Sequence, residues 1–185
     1  KQCGLNIGTL SAFIQAGMLD SFVTSNRCRL VLEAQTFNIL TDREKRNVVE
    51  LGPEFNYDVL NTVMSSFNNS THADDRKPLF TEKRFNTFKK KYAPYKNIYE
   101  QNIKHLKFAN WFFETKLLGY SYSHTLRDIF SSEDSSHLIS SQTISELEAH
   151  RHVRFVGTLT DIIKRTSRNG NKYARLDLCD ELGSV

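Results

Sequence analysis

Apolar residues early in the chain recur at helical spacing. Leu10, Phe13, Ile14 and Met18 fall on one stripe, and Leu30, Val31 and Leu32 supply the inward side of a second helix. Between them lies "FIQAGMLDSFVTSNR", residues 13–27, which ends one helix, turns at Gly17 and begins another. Ser25 is an acceptable N-cap for the second helix, and Thr41 or Asp42 for a third. The stretch "MSSFNNSTHADDRKP", residues 64–78, has no period and is rich in Ser, Asn and Asp, so it reads as a loop. Asn68 and Asn69 each head an N-x-S/T pattern within it. A long amphipathic helix is predicted from about Tyr95 to Leu118, with Tyr99, Ile103, Leu106, Phe113 and Leu117 on one face and Trp111 and Phe112 beside it. That aromatic stripe fits core packing, or a platform for stacked bases.

"SSEDSSHLISSQ", residues 131–142, is a second polar joint, and a short helix is expected from Ser145. After Arg151 the period changes. "VRFVGTLTDIIKRT" alternates loosely and is β-branched, "SRNGNK" carries the Asn-Gly turn signal, and "YARLDLCD" alternates again. This is the opening hairpin of a small β-barrel. The expected class is α+β. The expected organisation is a helical region over 1–64, a linker over 65–81, a helical connector over 82–150 and a β region from 151 to 185.

Composition narrows the function. The chain has 185 residues, 39% hydrophobic and 25% charged, with a net charge of +4. Between residues 76 and 116 there are eleven Lys or Arg and only Glu82, Glu100 and Glu114 against them, so this block carries +8. A localised excess of cations fits a nucleic-acid surface, or a solvated helix face. Cys3, Cys28 and Cys179 have neither zinc-ligand spacing nor a disulfide pattern, which fits a reducing, cytoplasmic setting. His150 and His152 have no third ligand nearby in sequence, and no carboxylates pair for two-metal chemistry. No run is long and apolar enough for a membrane span, and no membrane partner is expected. The chain opens at Lys1 and ends at Val185 within a strand pattern, so a fragment of a longer protein is expected.

The corner offers chemistry of its own. A helix start leaves N–H groups unpaired beside a partial positive charge, which suits a phosphate. Ala16, Gly17, Met18, Thr24, Ser25, Asn26 and Arg27 are therefore candidate DNA contacts. The bland alternative is an ordinary turn between two helices. In the hairpin, Lys164, Arg165, Arg168, Asn169, Asn171, Lys172, Tyr173 and Arg175 are candidates for a single strand, with Tyr173 able to stack a base.

The order of these motifs resembles the C-terminal region of bacterial DNA polymerase III alpha subunits, the DnaE-type replicative polymerases. "NIGTLSAFIQAGMLDSFVTSNRCRLV" is similar to the family's helix-hairpin-helix. "ETKLLGYSYSHTLRDIF" is similar to a Leu-Gly-Phe-Tyr-Leu-Ser-Gly-His-Pro-Leu passage, one residue shorter and with Thr125 in place of proline. "VRFVGTLTDIIKRTSRNGNKYARLDLCDELGSV" is similar to the first strands of its OB-fold. The resemblance implies non-sequence-specific duplex binding by the helix-hairpin-helix and template contact by a truncated OB-fold. It places the catalytic palm, with its Mg²⁺, upstream, leaving no cofactor and no catalytic residue here. It also implies a sliding-clamp peptide at Arg76, Lys77, Pro78, Leu79 and Phe80, although the leading glutamine is replaced by Arg76. Phe80 would alternatively pack back on the helix that follows. The competing class is a stand-alone RNA-binding module, a helix-plus-OB arrangement as in aminoacyl-tRNA synthetases and helicases. A protein-interaction scaffold is a third.

Overall fold

The computed structural model describes residues 5–68, 80–131, 138–148 and 152–185. The fold is α+β, and the chain divides into two compact units, residues 1–113 and 114–185. The first part of the segment expected as a connector, residues 82–113, lies in the first unit. Its rings form part of the first unit's core.

In the first unit α1 (Ile7–Gln15) is capped by Asn6, whose side chain accepts the Thr9 N–H at 2.8 Å. It closes on Ala16, with Gly17 next at φ 78°. The Gly17 N–H reaches Ile14 O at 3.0 Å and the Met18 N–H reaches Phe13 O at 3.1 Å. These two bonds make a Schellman closure, which needs a left-handed residue where Gly17 stands. Helix α2 (Arg27–Ile39) is capped by Asn26, one residue beyond the expected Ser25, through the Arg29 N–H at 2.9 Å. It packs against α1. The fully buried Thr36 hydroxyl donates to Leu32 O at 2.7 Å, so its burial leaves no unmet donor.

Helix α3 (Asp42–Leu51) begins with a reciprocal capping box between Thr41 and Glu44. A 3-10 turn at Gly52–Phe55 follows, then Asn56 and Tyr57 at φ 51° and 58°. A Cβ on Gly52 would lie 3.0 Å from the exposed Tyr57 ring, so a larger residue there would make that ring shift. Helix α4 is Val59–Asn68.

Helix α5 (Glu82–Lys104) is capped by Thr81. It starts well before the expected Tyr95. The buried residues Phe85, Phe88 and Tyr92 recur at helical spacing on its inner face. Phe80 joins them, its ring centroid 6.0 Å from that of Phe85 and 5.6 Å from that of Phe88. The ladder continues from Phe85 to Phe88 at 6.2 Å and from Phe88 to Tyr92 at 5.7 Å. Leu32, Leu40, Val48 and Val63 complete the same cluster. Each ring contributes roughly 1.5–3 kcal/mol of burial, and each aromatic pair about 0.5–1.5 kcal/mol more. Pro94 sits on the exposed side of α5, and its missing N–H leaves the Lys90 carbonyl without a helical donor. The long predicted helix breaks at His105 (φ −130°, ψ 50°), and α6 (Leu106–Leu118) follows.

In the second unit Glu114 is fully buried. Its Oε2 accepts from the Ser121 hydroxyl at 2.8 Å, the Tyr122 N–H at 2.9 Å and the Ser123 N–H at 3.1 Å. One carboxylate thus shapes the whole "GYSYSH" turn. Thr125 caps α7 (Leu126–Phe130) in a second capping box with Asp128. Strand β1 (Leu138–Ile139) pairs in parallel with β2 (Arg154–Phe155), and α8 (Ser141–Glu146) starts earlier than the expected Ser145. Strand β3 (Thr158–Thr166) pairs antiparallel with β4 (Lys172–Asp180) across the Asn-Gly turn, and β4 pairs with β5 (Gly183–Ser184). Asp180 ties the end of this sheet to α8. Its carboxylate accepts the Ser141 N–H and hydroxyl and the N–H groups of Leu182 and Gly183.

Candidate nucleic-acid surfaces

Several groups of the corner are bonded within it. The N–H groups of Ala16, Gly17 and Met18 go to Ala12, Ile14 and Phe13 carbonyls, the first at 2.8 Å. Asn26 uses its side chain as the α2 cap. Arg27, expected on the surface, is only 5% exposed. Its Nε lies 3.0 and 3.1 Å from the two Asp20 carboxylate oxygens, its Nη2 2.6 Å from one of them, and its Nη1 donates to Gln15 O at 3.3 Å. Arg27 therefore locks the corner from inside. What the corner shows to solvent is Met18, Thr24, Ser25 and Phe22, the last 80% exposed, together with the half-exposed Asp20. A cradle for phosphate would need the opposite: open N–H groups and an unpaired cation.

The clamp peptide also changes. Arg76, Lys77, Pro78 and Leu79 lie outside the described residues. Phe80, its expected anchor, is 2% exposed within the ring ladder and so cannot enter a partner's pocket as it stands. It packs on the following helix, since three more rings at helical spacing wait there for it.

The outer side of α5 is different. Lys83, Lys90, Lys91 and Lys104 are exposed and make no salt bridge among the described residues. Asn86, Thr87, Asn97 and Gln101 fill the surface between them. At the sides, Lys89 lies 4.5 Å from the Phe85 ring centroid and Lys96 pairs with Glu100 at 3.5 Å. From Lys83 to Lys104 the helix rises about 30 Å, the length of about nine base pairs.

The hairpin divides its cations between two faces. Arg165 stands opposite Tyr173, with Arg175 two residues along the same face, where it pairs with Asp177 at 3.0 Å. Lys164 and Lys172 point the other way, beside Ile162 and Leu176, which are directly paired and half exposed. Arg168, Asn169 and Asn171 lie at or beside the exposed tip. One face thus brings together Arg165, Tyr173 and Arg175, and it also holds Asp161 and Asp177.

The sequence pattern also missed a partly open pocket of the first unit. A cavity of about 180 Å³ opens among α1, α2, α5 and α6. Gln35, Asn102 and Asn110 contribute amides to its wall, and Tyr95 and Tyr99 contribute rings. Only the helical spacing of the tyrosines hinted at a shared face. No group of three His, Cys, Asp or Glu able to hold a metal occurs among the described residues, and no helix among them is long and apolar enough to cross a membrane. No protein family, no curated protein and no solved structure matches the chain.

Proposed function

We propose that the chain is a non-catalytic, DNA-binding part of a replicative polymerase of the DNA polymerase III alpha type, gripping nucleic acid by its backbone. The observation that carries this reading is the outer face of α5, where four lysines without a salt bridge among the described residues spread over about 30 Å and the exposed Glu100, one turn before Lys104, is paired with Lys96. Within it, the α1–α2 corner is the helix-hairpin-helix and β3–β5 are the first strands of an OB-fold, as the order of sequence motifs suggests. The duplex contact moves from the corner to α5, because Arg27 and the N–H groups of Ala16, Gly17 and Met18 are engaged internally. The Arg165–Tyr173–Arg175 face of the hairpin is the single-strand candidate, with one ring for a base and two guanidiniums for phosphates. Clamp binding through Phe80 is not carried forward, since that ring is in the core.

Fluorescence anisotropy with a labelled duplex of mixed sequence tests the proposal. Four lysines on phosphates give a slope of log affinity against log salt of about −3 to −4. Scrambling the sequence should leave affinity unchanged. A salt-independent signal, or tighter binding to one sequence, sinks it. Preference for structured RNA over duplex DNA transfers the reading to an RNA-binding module.

A further inference from the structure

We infer that the cavity of the first unit is a binding site for a single planar heteroaromatic ring of the pyrimidine-base type. Its size sets the first limit. An apolar cavity of roughly 150 Å³ holds one benzene, so about 180 Å³ takes one six-membered ring with small substituents. Its walls set the second. Tyr95 and Tyr99, one turn apart on α5, offer aromatic surface against which a flat ring can lie. Its polar groups set the third. The half-buried Asn102 and Asn110 line the cavity, and no side-chain hydrogen bond of either is present among the described residues. A primary amide presents a donor beside an acceptor, which is the complement of a base edge carrying acceptor beside donor. Gln35 is held in place through its Nε2, which donates to Ser11 Oγ at 3.2 Å, and this leaves its carbonyl oxygen for a ligand. A purely apolar guest would leave these amides unmet, and a phosphate would find one buried guanidinium already paired with Asp20. The inference stands apart from backbone binding by α5, since none of the four lysines lines the cavity.

Titration calorimetry with cytidine and thymidine, and with benzene and phenol as controls, tests it on the whole chain. Submillimolar binding of a pyrimidine nucleoside is expected, with benzene weaker. Asn102→Leu and Asn110→Leu keep the number and branching of side-chain heavy atoms while removing the amide edge, and each should weaken nucleoside binding about tenfold with a smaller effect on benzene. Circular dichroism confirms that both variants fold. Alkylation of the Cys28 thiol, which also lines the cavity, distinguishes the source of the ring. Protection by free nucleoside alone marks a small-molecule site, and protection by a short oligopyrimidine marks a base taken out of a bound strand. Equal binding of benzene and nucleoside, or no nucleoside binding by the folded wild-type chain, overturns the inference whatever the duplex measurement gives.

Discussion

Arg27 and Lys90 are both cations in helices of the first unit, yet they do opposite work. Arg27 enters the α1–α2 corner, meets Asp20 and a carbonyl, and disappears from the surface. Lys90 stands on the outer side of α5 and makes no salt bridge among the described residues. The difference lies in what each helix has beneath it. The corner has no large buried ring, and its closure relies on polar groups that bond to one another. Helix α5 has the Phe85–Phe88–Tyr92 row on its inner side, so its outer side is not needed for stability. A surface released from folding is the one available to a ligand. Counting cations along the chain cannot separate these two cases.

The sharpest way to break the contrast is to remove the ring that frees the outer face. Phe88→Ala deletes a fully buried side chain at the centre of the ladder and should cost about 3–5 kcal/mol. Urea unfolding measures it, and duplex affinity should fall with the folded fraction. A cost below about 1 kcal/mol, within the range of surface changes, would mean that the ladder does not hold α5.

Arg27→Ala comes next. It leaves Gln15 O and Asp20 without their donor, but Asp20 is 47% exposed and water takes part of the loss. A cost of about 2–3 kcal/mol is expected, below that of a fully buried pair. Duplex affinity per folded molecule should not change. If stability holds and affinity drops, Arg27 reaches phosphate after all and the corner regains its expected role.

Reversing Lys90 and Lys91 together should do the converse. Thermal stability stays within about 0.5 kcal/mol, as for other exposed positions. Duplex affinity falls at least tenfold, about 1.4 kcal/mol, and the salt slope shrinks by about two.

The particular residues show how far a sequence carries and where it stops. The Asn-Gly turn, the Gly17 corner and the Thr41 cap were legible because each depends on a short-range preference of one or two residues. The helix start at Asn26 rather than Ser25 was not, since both side chains cap equally well and the choice depends on Arg27 reaching back to Asp20. Phe80 was ambiguous because its partners lie on the next helix, whose start was expected thirteen residues too late. The break at His105 has no proline or glycine to announce it. The cavity needs four helices at once, and no local pattern encodes it.

The smallest expected effect concerns two acids of the first unit, each set against an arginine. Burial alone would raise the Glu44 pKa, but the Arg84 guanidinium at 2.7 and 2.8 Å and the Thr41 N–H hold it below the ordinary value. For Glu33 burial wins, although the Leu60 N–H at 2.9 Å and the Arg29 guanidinium oppose it, and the pKa rises. The signs follow from linkage. Glu44 binds its proton more weakly in the folded state, so its stabilisation is present above the ordinary glutamate range and is lost as pH falls through its lowered value. Glu33 binds its proton more tightly when folded, so its contribution is fully present below the ordinary range and is lost as pH rises through its raised value. The two therefore act in adjacent windows, Glu44 below the ordinary glutamate value and Glu33 above it. Glu44→Gln should therefore flatten the acid limb of stability measured by urea unfolding across pH, and Glu33→Gln should flatten the decline on the neutral side. Steeper acid loss in Glu44→Gln than in wild type would show that Arg84 does not control that carboxylate, and that the anchoring of α5 to α3 is not electrostatic.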